Sequence, residues 1–383
     1  MGQIHKYIIE LIRYVLNGDM PILPENIDFE NLFLFSKSHG VENMVYVGLK
    51  GCNIPVPEPV MSKLEQEYQK AIMSEAVQAI ELESLSMQMD ASEIDHIPLK
   101  GSVIKYLYPM PDYRKSGDID ILIKRCDEKK ATDILVANGY KLADDGDAHD
   151  IHISYFKPPM MLVELHRALI RSKNRAYAFC ESVWENVSLC KDTQHRYEMS
   201  NEFMYVYLVA HLAKHLNSGG AGIRLITDIY LAQSKLEMDS DKLEVFLEKA
   251  QLAQINEMIL KLADRWFKGT GDGDENIDLL ENIVLTGGSF GNADTKKIID
   301  GNISKKTRIT RFVKMLFPTK TALLGKYPVL KKYGFLLPVV WIYRAFRLLI
   351  FKRKSVMTDI KGNFDTPNKD NNYSEIFKAV CDK

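Results

Sequence analysis

Apolar residues recur every three or four positions at the start of the chain, where Ile8, Leu11, Ile12 and Val15 share one face of an expected helix. Pro21, Pro24, Pro55, Pro57 and Pro59 punctuate the next stretch, and helical spacing returns over 73–94, a long helix with Val77, Ile80, Leu85 and Met89 among its apolar positions. The period then changes. HIPLK (96–100) reads as a short buried strand, GSVIKYLYP (101–109) as a short helix opened by Gly101 and Ser102 and closed by Pro109, GDIDILIKR (117–125) as an alternating strand, and ATDILVANGYK (131–141) as helix again. Two further alternating segments, 149–157 and 160–169, flank Pro158 and Pro159 as the strands of an antiparallel hairpin would. A sheet built from these pieces is mixed. From 176 to 267 the spacing is almost wholly helical, and 268–300, rich in Gly, Asp and Asn, is expected to be loop around one short helix. The predicted organisation is α+β: a helical region over 1–92, a core with a small mixed sheet over 93–175, a helical domain over 176–300, and a last segment, 301–383, ending in a polar tail expected to be disordered.

Composition narrows the class. A chain of 383 residues suits two or three domains of roughly 100–200 residues each, and 46% hydrophobic with 26% charged residues fits neither disorder nor a polytopic membrane protein. The five cysteines are scattered without a CxxC pair, which argues against disulfide staples or a zinc ribbon and for a reducing, cytoplasmic setting. Charges inside the apolar N-terminal stretch, and no small-residue cleavage site, mark an amphipathic helix rather than a signal peptide. A net charge of -1 conceals an uneven distribution, because 301–357 contains no Asp or Glu while Lys and Arg recur. Within it GFLLPVVWIYRAFRLLIFKRK (334–354) is too short and too charged for a spanning helix. Three readings stay open there: an amphipathic helix at an anionic inner-membrane surface, electrostatic contact with RNA, or a helix packed on the protein.

The candidate chemistry lies between Leu99 and Glu164. On a strand, the period of two puts Asp118 and Asp120 on one face and Ile119, Ile121 and Ile123 on the other. Neighbouring carboxylates repel, and a divalent cation with a preference for oxygen ligands, Mg2+ above all, is the usual compensation. Upstream, LKGS sets Gly101 and Ser102 at a strand-to-helix turn, where free backbone N–H groups favour a phosphate. Alone, the DxD pair also suits a turn and cap, and LKGS an ordinary turn; it is their coincidence that points to a nucleotide site. Glu164 and His166 fall on one face of a later strand, so a strand beside the DxD strand would bring three acids together, and His152 could line the same cleft. For both histidines a structural role is the preferred reading. His211 with His215 lacks the HExxH glutamate, Arg224 and Asp228 could reach the cleft or equally form an intrahelical ion pair, and TGGSFG (286–291) lacks the GK[ST] ending of a phosphate loop.

An hG[GS] turn, a Dh[DE]h strand and a third acid on a later strand resemble the DNA polymerase beta-like nucleotidyltransferase superfamily. More narrowly, LKGSVIKYLYPMPDYRKSGDIDILI (99–123), VELHRAL (163–169), HLAKHL (211–216) and RLITDIYLA (224–232) are similar to a bacterial family of uncharacterised nucleotidyltransferases, over roughly residues 30–290. The resemblance implies that 93–175 is a polymerase beta-like core, that Asp118, Asp120 and Glu164 hold Mg2+ or Mn2+, that Gly101 and Ser102 contact phosphate, and that Lys100 and Arg114 are the nearest cations for it. It also implies that the helical domain closes the cleft, and that a nucleoside monophosphate passes from an NTP, with ATP expected, to an acceptor hydroxyl. That acceptor could be a small molecule, a sugar or glycan precursor, a protein or a tRNA. A catalytically silent nucleotide-binding or membrane-associated protein of the same fold is the alternative, and metal-dependent phosphate hydrolysis a third reading.

Overall fold

A computed structural model describes residues 3–22, 27–144, 151–217, 220–271 and 273–288, together with Leu337, Pro338, Val340 and Trp341. The chain opens with four helices, Gln3–Asn17 (α1), Phe29–His39 (α2), Glu42–Gly51 (α3) and Glu58–Ala91 (α4). Next come strand His96–Pro98 (β1), helix Gly101–Ile104 (α5), strand Ile119–Ile123 (β2), helix Glu128–Ala137 (α6), and strands Lys141–Asp144 (β3), His152–Lys157 (β4) and Met161–His166 (β5). Helix Tyr177–Glu181 (α7) and a small hairpin, Val187–Leu189 (β6) with Tyr197–Met199 (β7), lead to Asn201–Asn217 (α8), Ile223–Lys235 (α9), Ser240–Lys249 (α10), Ala253–Lys268 (α11) and Glu275–Gly287 (α12).

The main sheet has the order β1-β2-β5-β4-β3 and is mixed, as its sequence suggests: β2 runs parallel to β5, and the other neighbours are antiparallel. One face is apolar. Ile119, Ile121, Ile123, Val163, Leu165, Ile153 and Tyr155 pack against Leu82, Leu85 and Met89 of α4 and Ala131 and Leu135 of α6. Burying such a side chain stabilises the fold by about 1.5–3 kcal/mol, so this layer anchors the strands and turns their other face toward the site.

Helix α4 is longer than the expected 73–94, and its buried stripe includes Gln78, Leu82, Leu85 and Met89. Val77 and Ile80, named with Leu85 and Met89 among its apolar positions, are 50% and 71% exposed. Two apolar stripes run along this helix, and the sheet covers only one. Ion pairs from Glu75 to Lys105, Glu81 to Lys157 and Glu83 to Arg196 tie α4 to the turn after α5, to β4 and to the approach to β7.

The helical regions on either side of the sheet meet each other. Helix α1 packs its buried Ile8, Leu11 and Ile12 where α3 and α11 lie against it, and Asn17 donates a hydrogen bond to the Phe267 carbonyl at 2.8 Å. One compact unit therefore runs from the first described residues through α12. Edge strand β3 and the β6–β7 hairpin are additions to the expected elements, the second falling in the span 176–267 where the spacing is almost wholly helical. Among the described residues no helix is long and apolar enough to cross a membrane. The basic segment over 301–357 lies outside them, save for the four residues named above.

Candidate active site

The polar face of the sheet gathers the predicted acids. In the parallel pairing of β2 with β5, Asp120 stands opposite Glu164, and Asp118 lies just before β2 on the same side. A carboxylate oxygen from each of Asp118, Asp120 and Glu164 lies within 4.8 Å of the other two. The alternation that buries Ile119 and Ile121 below makes this convergence unavoidable once β5 pairs beside β2.

Electrostatics divide the three acids. Asp120 is buried, which alone would raise its pKa, but the Lys100 ammonium and His166 imidazole, each 2.7 Å from Oδ1, outweigh burial and hold it well below the usual carboxylate range. Asp118 is pushed the other way by burial and then by the negative charges of Asp120 and Glu164. His166 would be lowered by burial, yet its bonds to Asp120 and Glu164 raise it overall. Against burial, the neighbouring Tyr207 and Asp120 hold Lys100 above its ordinary value. Three oxygen donors with one cation between them form a hard, electron-rich set that fits a divalent metal.

Backbone shape keeps Lys100 in place. Its φ of 45° lies in the left-handed region, at the turn from β1 into α5. Gly101 comes next, with no room for a side chain: a Cβ there would stand 2.6 Å from Ser116 Oγ and 2.7 Å from Arg114 Nη1. The Ser102 amide donates to the Leu99 carbonyl at 3.1 Å and so closes the turn.

Arg114, the second cation considered for phosphate, is engaged elsewhere. Its Nε and Nη2 donate to the two Asp228 oxygens at 2.8 Å, and Tyr108 donates to the same carboxylate at 2.8 Å. Asp228 thus pairs with Arg114 across the fold, and Arg224, its expected partner, donates to the Lys115 carbonyl. This network holds the segment between α5 and β2. Asn43 of α3 donates to the carbonyls of Asp112 and Tyr113, at 2.6 and 2.9 Å, and Gln78 of α4 donates to the Ser116 carbonyl at 3.3 Å. Asn43 and Gln78 carry no motif, and their role is invisible until α3 and α4 are packed beside the loop.

Helix α8 lies close by. His211 and Tyr207 are shifted first by burial, the histidine downward and the tyrosine upward, and both feel the charge of Lys100. The Nε2 atoms of His211 and His215 lie 3.2 Å apart, so one ring serves the other. Of TGGSFG, only Thr286, Gly287 and Gly288 are among the described residues.

Comparison with known proteins agrees with the resemblance in the motifs. The family model described as uncharacterised nucleotidyltransferase matches residues 25–268, a span that stops short of the expected end near 290. A solution structure of the antibiotic-resistance factor ANT(2'')-Ia is similar over 45% of this chain and 90% of its own, with 12% identity and a TM-score of 0.34. No curated protein matches the chain. The family match takes in α2 through α11, and with them every element of the site: the chain belongs to the family of uncharacterised nucleotidyltransferases.

Proposed function

We propose that this enzyme moves a nucleoside monophosphate from an NTP, with ATP the expected donor, to an acceptor hydroxyl with release of pyrophosphate. The reading rests above all on one observation, the convergence of Asp118, Asp120 and Glu164 on the polar face of the sheet. These three would hold Mg2+ or Mn2+. When bound, such cations neutralise triphosphate charge and lower the pKa of the acceptor hydroxyl.

The chain's own groups divide the remaining work. Glu164, the acid of the three that lies beside both His166 and His152, accepts the proton of the acceptor hydroxyl as its oxygen bonds to the α-phosphorus and the bond to the pyrophosphate oxygen breaks. Lys100, positioned by its turn, offers its ammonium to phosphate once its carboxylate partner binds another cation. Gly101 and Ser102 let the backbone approach the phosphates closely. Arg114 supports that turn from beneath through Asp228, a positioning role in place of the direct phosphate contact expected from its sequence. The helices from α8 onward would close the cleft over the nucleotide. Acceptor candidates are a small molecule, a sugar or glycan precursor, a protein or tRNA, with a polyanion mildly favoured by the basic 301–357 segment, which would also suit contact with RNA or an anionic membrane.

The test is incubation of the full chain with Mg2+ or Mn2+, each labelled NTP and cell extract, with pyrophosphate and labelled acceptor measured. Wild type should yield both, and an Asp118→Asn/Asp120→Asn variant should lose at least about 10²-fold in rate. Orthophosphate without labelled acceptor would indicate hydrolysis instead. Identical behaviour of wild type and variant, with no metal-dependent NTP binding by either, would sink the enzymatic reading and leave a silent fold.

A further inference from the structure

The polar face continues beyond the acids. Antiparallel pairing of β4 with β5 puts His152 directly opposite His166 and Ser154 opposite Glu164, so both histidines and Glu164 share that face. The imidazole centroids are 5.0 Å apart. One Glu164 oxygen, Oε2, lies 3.5 Å from His152 Nδ1 and 3.4 Å from His166 Nε2. One donor atom from each of the three lies within 4.8 Å of the others.

The two contacts to Glu164 match edges of a small coordination polyhedron. A tetrahedral ion with bonds of roughly 2.0–2.1 Å to nitrogen and oxygen separates its ligands by about 3.3–3.4 Å. Both contacts to Glu164 sit near that edge length. His152 Nδ1 and His166 Nδ1 are both shielded from solvent without a hydrogen-bond partner among the described residues, and the first of them faces Glu164, where a bound ion would relieve the cost of an unpaired buried ring nitrogen. Two imidazoles and one carboxylate, with further positions open, form a donor set suited to a borderline cation, whereas Mg2+ keeps to oxygen ligands.

We propose that His152, Glu164 and His166 form a second metal site, selective for a borderline divalent cation of the Zn2+ class and joined to the Asp118–Asp120 set through the shared Glu164. Binding replaces the His166 Nε2 contact with Asp120 by a bond to the ion; the ring keeps its remaining proton on Nδ1, and any proton displaced from Nε2 leaves to solvent. Lys100 stays with Asp120 and completes the neutralisation of that carboxylate.

This site goes beyond the transfer reaction, and its test needs no nucleotide, so the two can fail separately. Zn2+ and Mg2+ are each titrated calorimetrically into the metal-stripped full chain, as wild type, His152→Ala, His152→Asn and Asp118→Asn. Thermal melts select the variants that remain folded, and His152 is only partly buried. The expected result is one Zn2+ per chain, weakened at least about tenfold by either His152 substitution and changed less than about twofold by Asp118→Asn. Mg2+ affinity should show the opposite dependence. As a second readout, Co2+ in the wild type should give the intense visible absorption of a four-coordinate site with imidazole ligands, lost on replacing His152. Zn2+ affinity that ignores His152, or that falls with Asp118→Asn alone, would place the ion among the aspartates and overturn the proposal. A wild type that binds no Zn2+ would overturn it equally.

Discussion

Asp118 carries the strain of crowding three acids. Asp120 has Lys100 and His166 as close partners, while burial and the charges of Asp120 and Glu164 push Asp118 up to about 6. The unfolded chain ionises the same carboxyl near pH 3.9. With the folded value above the unfolded one, the group's contribution to stability is complete below about pH 4 and is lost as pH rises through about 6. Asp118→Asn cannot ionise. It should therefore raise the melting temperature of the metal-free protein above pH 6 and bring no gain below about pH 4, as thermal melts in chelator at pH 4 and 7.5 will read. In the wild type, Mg2+ affinity should fall about tenfold per pH unit below 6, because the ion must displace this proton. A destabilised Asp118→Asn protein at pH 7.5 would contradict the assignment.

At the scale of elements, the site is held by a loop that its own sequence cannot hold. The segment from Pro109 to Asp118 has only one short 3-10 turn of its own, Pro111–Tyr113, and α3, α4 and α9 fix it through Asn43, Gln78, Arg224 and Asp228. The Arg114–Asp228 pair is buried on both sides, so removing one partner strands a charge. Arg114→Ala should cost about 3–5 kcal/mol in urea unfolding, and Arg114→Met/Asp228→Met should recover much of it. A loss below about 1 kcal/mol in the single variant would mean the pair does not brace this loop. Helix α4 depends on its surroundings in the same way. Its exposed Val77 and Ile80 have the same helical spacing as its core residues, and only the position of the sheet distinguishes the two stripes.

Across the molecule, α1 packed on α11 joins the helices before the sheet to those after it, and Asp228 on α9 reaches back to the loop at the site. Ligand binding on the sheet should therefore stabilise this unit as a whole. With Mg2+ and ATP at 100 times the dissociation constant, linkage gives about 2.7 kcal/mol. Differential scanning calorimetry should show the main transition moving up in temperature with Mg2+ and ATP together, and the shift should vanish in Asp118→Asn/Asp120→Asn. A shift that survives in that variant would put the nucleotide elsewhere.

The sequence by itself determined the α+β class, the mixed sheet, the shared face of Asp118 with Asp120 and that of Glu164 with His166, because strand alternation and the spacing of short motifs are local properties. It also carried the family, through strings that the family model independently matches. Tertiary structure alone decided which apolar stripe of α4 is core, that β5 lies beside β2, and that Arg114 faces Asp228 rather than open solvent. It decided too that His152 stands opposite His166. The physical reason is common to all four: pairing and packing partners far apart in the chain set which face is buried and which charge is neutralised, and residue spacing records neither.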